Sequence, residues 1–290
     1  MGILLTGLSR IFDFINELWE ENVTRQFLGI VLVVVYLVSL VLIDLNMRDI
    51  LPRSLGEFIP RNHLHAISIA FTLLLIIEVI ELILGIAQSV SRSVGKQFEI
   101  FSLILLRQSF KEFSLYHEPL KWTEVSASVL PIISDASGAL FIFIGLVFYY
   151  RSIKNHLFTV DADEQSNFII AKKIVSLLLL SIFVYIIVYN GCLFAMGTET
   201  LDIFNLFYTI LIFSDILIVL IATRYTHTYM VVFRNTGFAL ATVLIRIALT
   251  APPYYDAALG SGVMLFILGI VTAYNRLTPE VYPGNGEHSA

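Results

Sequence analysis

Charge is scarce in this chain. Lys and Arg number 18 and Asp and Glu 23, together 14% of 290 residues, where a soluble domain carries about 25%. That shortage excludes a soluble enzyme. It also excludes a disordered chain, which needs low hydrophobicity and high net charge. Cysteine is nearly absent. Cys192 alone rules out an intrachain disulfide and leaves a zinc cluster without ligands. No long basic run exists and the net charge is -5, so binding to a nucleic-acid backbone lacks electrostatic support. His63, His65, His117, His156, His227 and His288 are scattered and show no metal-ligand spacing. A Gly-rich phosphate loop, an HExxH pair and a plausible Ser/His/Asp order are missing too. No catalytic residue, metal or cofactor is therefore expected.

What the chain has is apolar surface. Hydrophobic residues make up 57%, with 22 Phe and 13 Tyr, and the mean hydropathy is +0.83. A bilayer core of about 30 Å needs about 20 apolar residues in a helix. Only helices or closed barrels satisfy backbone polar groups there, and the apolar runs here are too long for barrel strands. Clear spans are predicted at 27–44, 66–87, 132–150, 174–195, 203–223, 235–251 and 259–275. A weaker one at 98–114 contains Arg107 and Lys111. The fold class is all-α, a polytopic helical membrane protein with about eight spans, or seven without the weak one.

Basic residues orient the chain. With eight spans and both termini inside, eleven of the 18 basic residues fall on the cytoplasmic side, as the positive-inside rule requires. Four fall outside: Arg48, Arg53, Arg61 and Lys121. The loop 45–64 holds three of these four and favours seven spans. The localisation expected is the cytoplasmic membrane. Residues 1–22 lack the basic start and cleavage site of a secretory signal. Leu4, Leu8, Ile11, Phe12, Ile15 and Trp19 recur at helical spacing, which predicts an amphipathic helix on the membrane surface.

An internal repeat favours eight. Leu105-Leu106-Arg107 matches Leu244-Ile245-Arg246, and Tyr116 matches Tyr255 nine residues on. Leu140-Phe141-Ile142 matches Leu265-Phe266-Ile267, and Arg151 matches Arg276. Such duplication is common in membrane transport folds. The expected organisation is an interfacial helix (1–25), a four-helix unit (26–151), a cytoplasmic linker (152–172), a second four-helix unit (173–276) and a disordered tail (277–290). The first unit carries an insertion around 118–131.

Ionisable groups within a bilayer cost about 2.5–3.5 kcal/mol each on insertion scales. The repeat gives them a pattern, a carboxylate on the second helix of each unit and an arginine on the third. Two intramembrane ion pairs are predicted, Glu78–Arg107 and Asp215–Arg246. They either fix helix register or change partners with voltage or protonation. Secondary candidates are Glu81, Lys111, Asp135 and Arg234. Glu81 is expected to be wet near the inner interface, and Asp135 to belong to a polar helix start. Gly260-Ser261-Gly262 reads as a packing or cap feature.

The C-terminal unit resembles the phosphate-starvation-inducible E (PsiE) family. The likeness is carried by Phe213-Ser214-Asp215-Ile216, Arg234, Ala241-Thr242-Val243-Leu244-Ile245-Arg246, Asp256 and the final apolar run to Arg276. It covers about 205–277 well. The first unit matches more loosely, through Glu78, Lys96 and Leu106-Arg107. The resemblance implies a small four-helix inner-membrane protein without established biochemical activity, here doubled and carrying the 118–131 insertion. The function expected is a non-enzymatic sensor or regulatory membrane protein, linked to stress response. The alternative is a proton or cation channel or transporter using the carboxylate–arginine pairs. Expected partners are the lipid bilayer and either a second copy or another protein, with no nucleic acid.

Overall fold

A computed structural model describes residues 2–52, 56, 59–88, 90–116, 118, 121–153, 162–223 and 229–277. Residues 154–161 of the expected linker and the tail from 278, with His117, His156, His227 and His288, lie outside them. The described residues form nine α-helices and no strand. These are α1 (Gly2–Glu20), α2 (Asn22–Met47), α3 (His65–Gly85), α4 (Val90–Lys111), α5 (Trp122–Ser152), α6 (Ala162–Ala195), α7 (Ile203–Thr223), α8 (Tyr229–Thr250) and α9 (Tyr255–Leu277). Seven of them, α2, α3 and α5 to α9, are long and apolar enough to cross a membrane. The chain is thus a polytopic helical membrane protein.

The predicted span at 98–114 is α4, which begins and ends earlier. The helix stops at Lys111 and tightens into a 3₁₀ turn, Glu112–Leu115. At 22 residues it is about 33 Å long, yet it is not among the seven. The reason is charge: Arg92, Lys96, Glu99, Arg107 and Lys111 all lie on it. Its faces differ all the same: Leu103, Leu106 and Phe110 are exposed on the outside, while Ser93, Gln97, Ser102 and Ser109 are buried.

Other boundaries also move. α5 begins at Trp122 and carries Pro131 within it, so the second half of the expected insertion is helix. Asp135 is therefore mid-helix and buried, not a helix start. α6 begins at Ala162 and takes up the second half of the expected linker. Gly260 to Gly262 lie inside α9. The α6 C-terminus closes on Gly197, whose φ of +69° suits a residue without Cβ, and Thr198 N–H donates to Leu193 O, 3.1 Å. This is a Schellman-type stop.

The core is a ring of four helices. α4 packs on α5, α5 on α9, α9 on α8, and α8 back on α4. Each contributes a seam at alternating spacings of three and four. The seams are Phe98, Phe101 and Leu105 on α4, Ala139, Ile142 and Leu146 on α5, Phe238, Ala241 and Ile245 on α8, and Met264, Ile267 and Val271 on α9. This period suits left-handed bundles; α5 and α9 run parallel, Gly138 meeting Ala257 and Gly145 meeting Met264. α3 flanks α4 and α7 flanks α8, while α2 packs on α3 and α6 on α7. α3 also meets α6, and a second core forms there from Val79, Ile83, Leu179, Phe183, Phe207 and Leu211.

α1 packs beside α6 and α2. Asp13 of α1 pairs with Lys173 of α6 at 2.7 Å. Phe12 is buried, and Ile11, Phe14 and Leu18 stay exposed, an apolar strip along the helix.

Glycine sets the α5–α9 approach. A Cβ on Gly138 would lie 2.7 Å from the Ala257 Cβ and 3.1 Å from its Cα, so the backbones meet there as small residues allow in membranes. Gly262 has nothing within 4 Å. Gly138→Leu is expected to lower the unfolding midpoint in detergent by an amount equivalent to about 1–3 kcal/mol. Gly262→Leu should leave it within experimental error. Equal effects of the two would show that α5 and α9 do not cross closely.

Candidate ion-pair site

The charged residues of the spans come together where α3, α4, α7 and α8 adjoin. Glu78 sits two turns before the end of α3 and Asp215 two turns before the end of α7. α4 and α8 run back antiparallel, and each lays an arginine at the matching depth. Arg107 Nη1 contacts Glu78 Oε1. Arg246 Nε lies 3.6 Å from Asp215 Oδ2. Four ionised groups at this depth would cost roughly 10–14 kcal/mol if unpaired. Opposite charges on neighbouring helices offset that cost.

The two pairs differ in burial. The Arg107 side chain is 30% exposed, and that of Arg246 is fully buried. Arg107 borders an open cavity, whereas Arg246 is enclosed among the buried Thr242, Ile245 and Ala248 of its own helix.

The Asp215–Arg246 pair is loosely held. At 3.6 Å it is an ion pair beyond hydrogen-bond distance, whereas a clamped guanidinium–carboxylate pair is about 2.7–2.9 Å. None of the three Arg246 nitrogens has a hydrogen-bond partner among the described residues. Thr242, one turn before Arg246, lies beside Asp215. Tyr208, two turns before Asp215 on α7, is buried.

Each pair adjoins a recess. A cavity of about 330 Å³ is lined by Glu78 and Arg107, by Lys111 and Glu112, and by Asp202 and Tyr208. It lies toward the end of the bundle that carries the 112–121 and 196–202 loops, here the far side. A crevice of about 60 Å³ has a mostly apolar lining, with Asp215, Thr242, Gln97, Asn235 and Lys172 as part of it. It lies toward the opposite end, from which α2 starts, here the near side. Lys172 Nζ donates to Gln88 O at its mouth.

The remaining candidates lie elsewhere. Glu81 is three residues from Glu78 but outside the far cavity. Its carboxylate is 4.0 Å from Lys96 Nζ and a quarter exposed. Lys111 lines the far cavity. Arg234, three turns from Arg246, stacks on Tyr274 with its guanidinium carbon 4.6 Å from the ring centre, and donates to Asn235 Oδ1 at 3.2 Å. Asp135 faces Asp256 at the far end of the α5–α9 contact, both buried. Sequence reasoning had no signal for Tyr208, Thr242 or Gln97. Each is a common polar residue in an apolar run, and only the packing marks it. Among the described residues no cluster of His, Cys, Asp or Glu could hold a metal ion.

No family model, no curated protein and no solved structure matches the chain.

Removing one partner of a buried pair strands the other charge, at about 3–5 kcal/mol. Asp215→Asn strands Arg246 in a fully buried place and is expected to show that full loss in detergent unfolding. Glu78→Gln strands Arg107 beside an open cavity and should lose under half as much. Asp215→Leu combined with Arg246→Met should recover most of the stability. If Glu78→Gln proved the more damaging change, the ranking by burial would be wrong.

Proposed function

We propose that this membrane protein moves protons across the cytoplasmic membrane, with the two carboxylate–arginine pairs as the carriers. The single observation behind this reading is that each carboxylate borders a recess of its own. Glu78 borders the far cavity and Asp215 the near crevice. A structural ion pair needs no such access.

The chemistry follows from the groups present. A proton taken up at the Asp215 carboxylate neutralises it, and Arg246 then holds a charge without its partner. Burial disfavours that state, so protonation would drive Arg246 toward another acceptor. The loose 3.6 Å contact leaves room for such a change. A proton suits the site better than a hydrated cation. The near crevice, about 60 Å³, has room for about two waters, and each carboxylate already has a guanidinium beside it. A single charge crossing the field would gain about 2.3 kcal/mol per 100 mV.

A second reading is a sensor or regulatory membrane protein of the PsiE type, non-enzymatic and built from two related four-helix units. The observation that favours it is the α1 latch. Asp13–Lys173 ties an otherwise exposed amphipathic helix to α6, and its release would report on the membrane surface.

Proteoliposomes loaded with a pH-sensitive dye and given a potassium diffusion potential test the first reading. Wild type is expected to acidify its lumen. Glu78→Gln and Asp215→Asn should each slow the initial rate at least tenfold, with Glu81→Gln near wild type. Wild-type protein that moves no protons under either a potential or a pH gradient would sink this proposal.

A further inference from the structure

The far cavity and the near crevice share one wall, and that wall is a single stripe of α4. Ser93 and Gln97 line the near crevice. Ile104, Arg107 and Lys111 line the far cavity. Between the two ends lies Ile100, buried. The spacings along Ser93, Gln97, Ile100, Ile104, Arg107 and Lys111 alternate four and three. That keeps all six on one face of the helix. The stripe is about 27 Å long at 1.5 Å per residue, close to the thickness of a hydrocarbon core.

Its centre is apolar and its ends are polar. Ile100 and Ile104 pack with Leu82 in a small core of their own, closed by Leu75 and Leu249. Leu75, Ile104 and Leu249 also form part of the far cavity's wall, so this cluster is its floor. On the other side, Gln97 is buried with an amide oxygen that has no partner among the described residues. Gln97 lines the near crevice. A polar atom unsatisfied at this depth costs about 1–3 kcal/mol, a cost met when water reaches it.

We propose that Ile100, Ile104 and Leu249 form a hydrophobic gate between two water-filled half-channels that open on opposite faces of the membrane. Constrictions of apolar side chains stop conduction by expelling water. The gate is the regulation of the proton path proposed above, and it rests on that reading. The two half-channels do not, because they are a matter of access alone. Gln97 to Ile104 marks the dry segment, about 10 Å of helix. Protons cross it when the cluster parts and the water columns join.

The test uses full-length protein in liposomes of known orientation. Cys192, the only cysteine, is first replaced by Ser. Single cysteines then go to Gln108 and Asn205 in the far cavity, to Ala222 and Ala239 in the near crevice, and to Ile100. Each is exposed to a membrane-impermeant thiol reagent from one face at a time. Gln108→Cys and Asn205→Cys should label only from the far side, Ala222→Cys and Ala239→Cys only from the near side. Ile100→Cys should react at least a hundredfold more slowly from both. Labelling of all four recess positions from one face would overturn the two half-channels, and fast labelling of Ile100→Cys would overturn the gate.

Flux then tests the gate in operation. Ile104→Ser and, separately, Leu249→Ser should each raise proton leak at least tenfold over wild type. Leu249 is only partly buried, so that variant guards against misfolding of the other. Unchanged leak in both would overturn the gate. If the labelling pattern holds and wild type moves no protons, the transport reading fails and the opposed half-channels stand.

Discussion

Charge placed in a low-dielectric medium must be neutralised by the protein itself, and that requirement shapes the centre of this molecule. Arg246 is wholly buried, and Asp215 is the carboxylate paired with it. α7 and α8 must then run side by side with these residues at one depth. Glu78 and Arg107 impose the same on α3 and α4. The four seams that close the central ring set α4 and α8, which carry the two arginines, side by side. Helix register, recess position and burial of the neighbouring polar residues all follow from where these four charges sit.

The pairs are alike in chemistry and unlike in surroundings. Arg107 borders an open cavity, and Arg246 is turned inward and wholly buried. That asymmetry converts two similar helix pairs into two sites of different access, one toward each side of the bundle. Asp215 and Arg246 stand 3.6 Å apart, Glu78 and Arg107 are in direct contact, and each carboxylate borders a recess.

α4 links these features. It is the helix that hydropathy ranks lowest, yet it packs against α3, α5 and α8 and carries the wall shared by both recesses. Its outer strip is apolar where it leaves the bundle, at Leu103, Leu106 and Phe110. Its inner strip is polar at both ends and apolar at Ile100 and Ile104. A helix with that pattern has little average hydrophobicity and a definite place.

Much of the architecture was legible in the residues alone. The scarcity of charge and the long apolar runs required membrane-spanning helices, because a bilayer leaves the backbone no other partner. The carboxylates and arginines worth watching were visible for the same reason, since few charges are tolerated there. Helix ends were less legible: the apolar pattern does not show where α5 starts in polar sequence at Trp122, nor that Asp135 lies mid-helix. The tertiary structure decided which charges face which recess, that Arg246 is the buried arginine, and that Tyr208, Thr242 and Gln97 belong near the pairs. Sequence periodicity defines a helix face relative to itself. Only the neighbouring helices determine what that face meets, because burial and access are properties of the packed bundle and not of the residue.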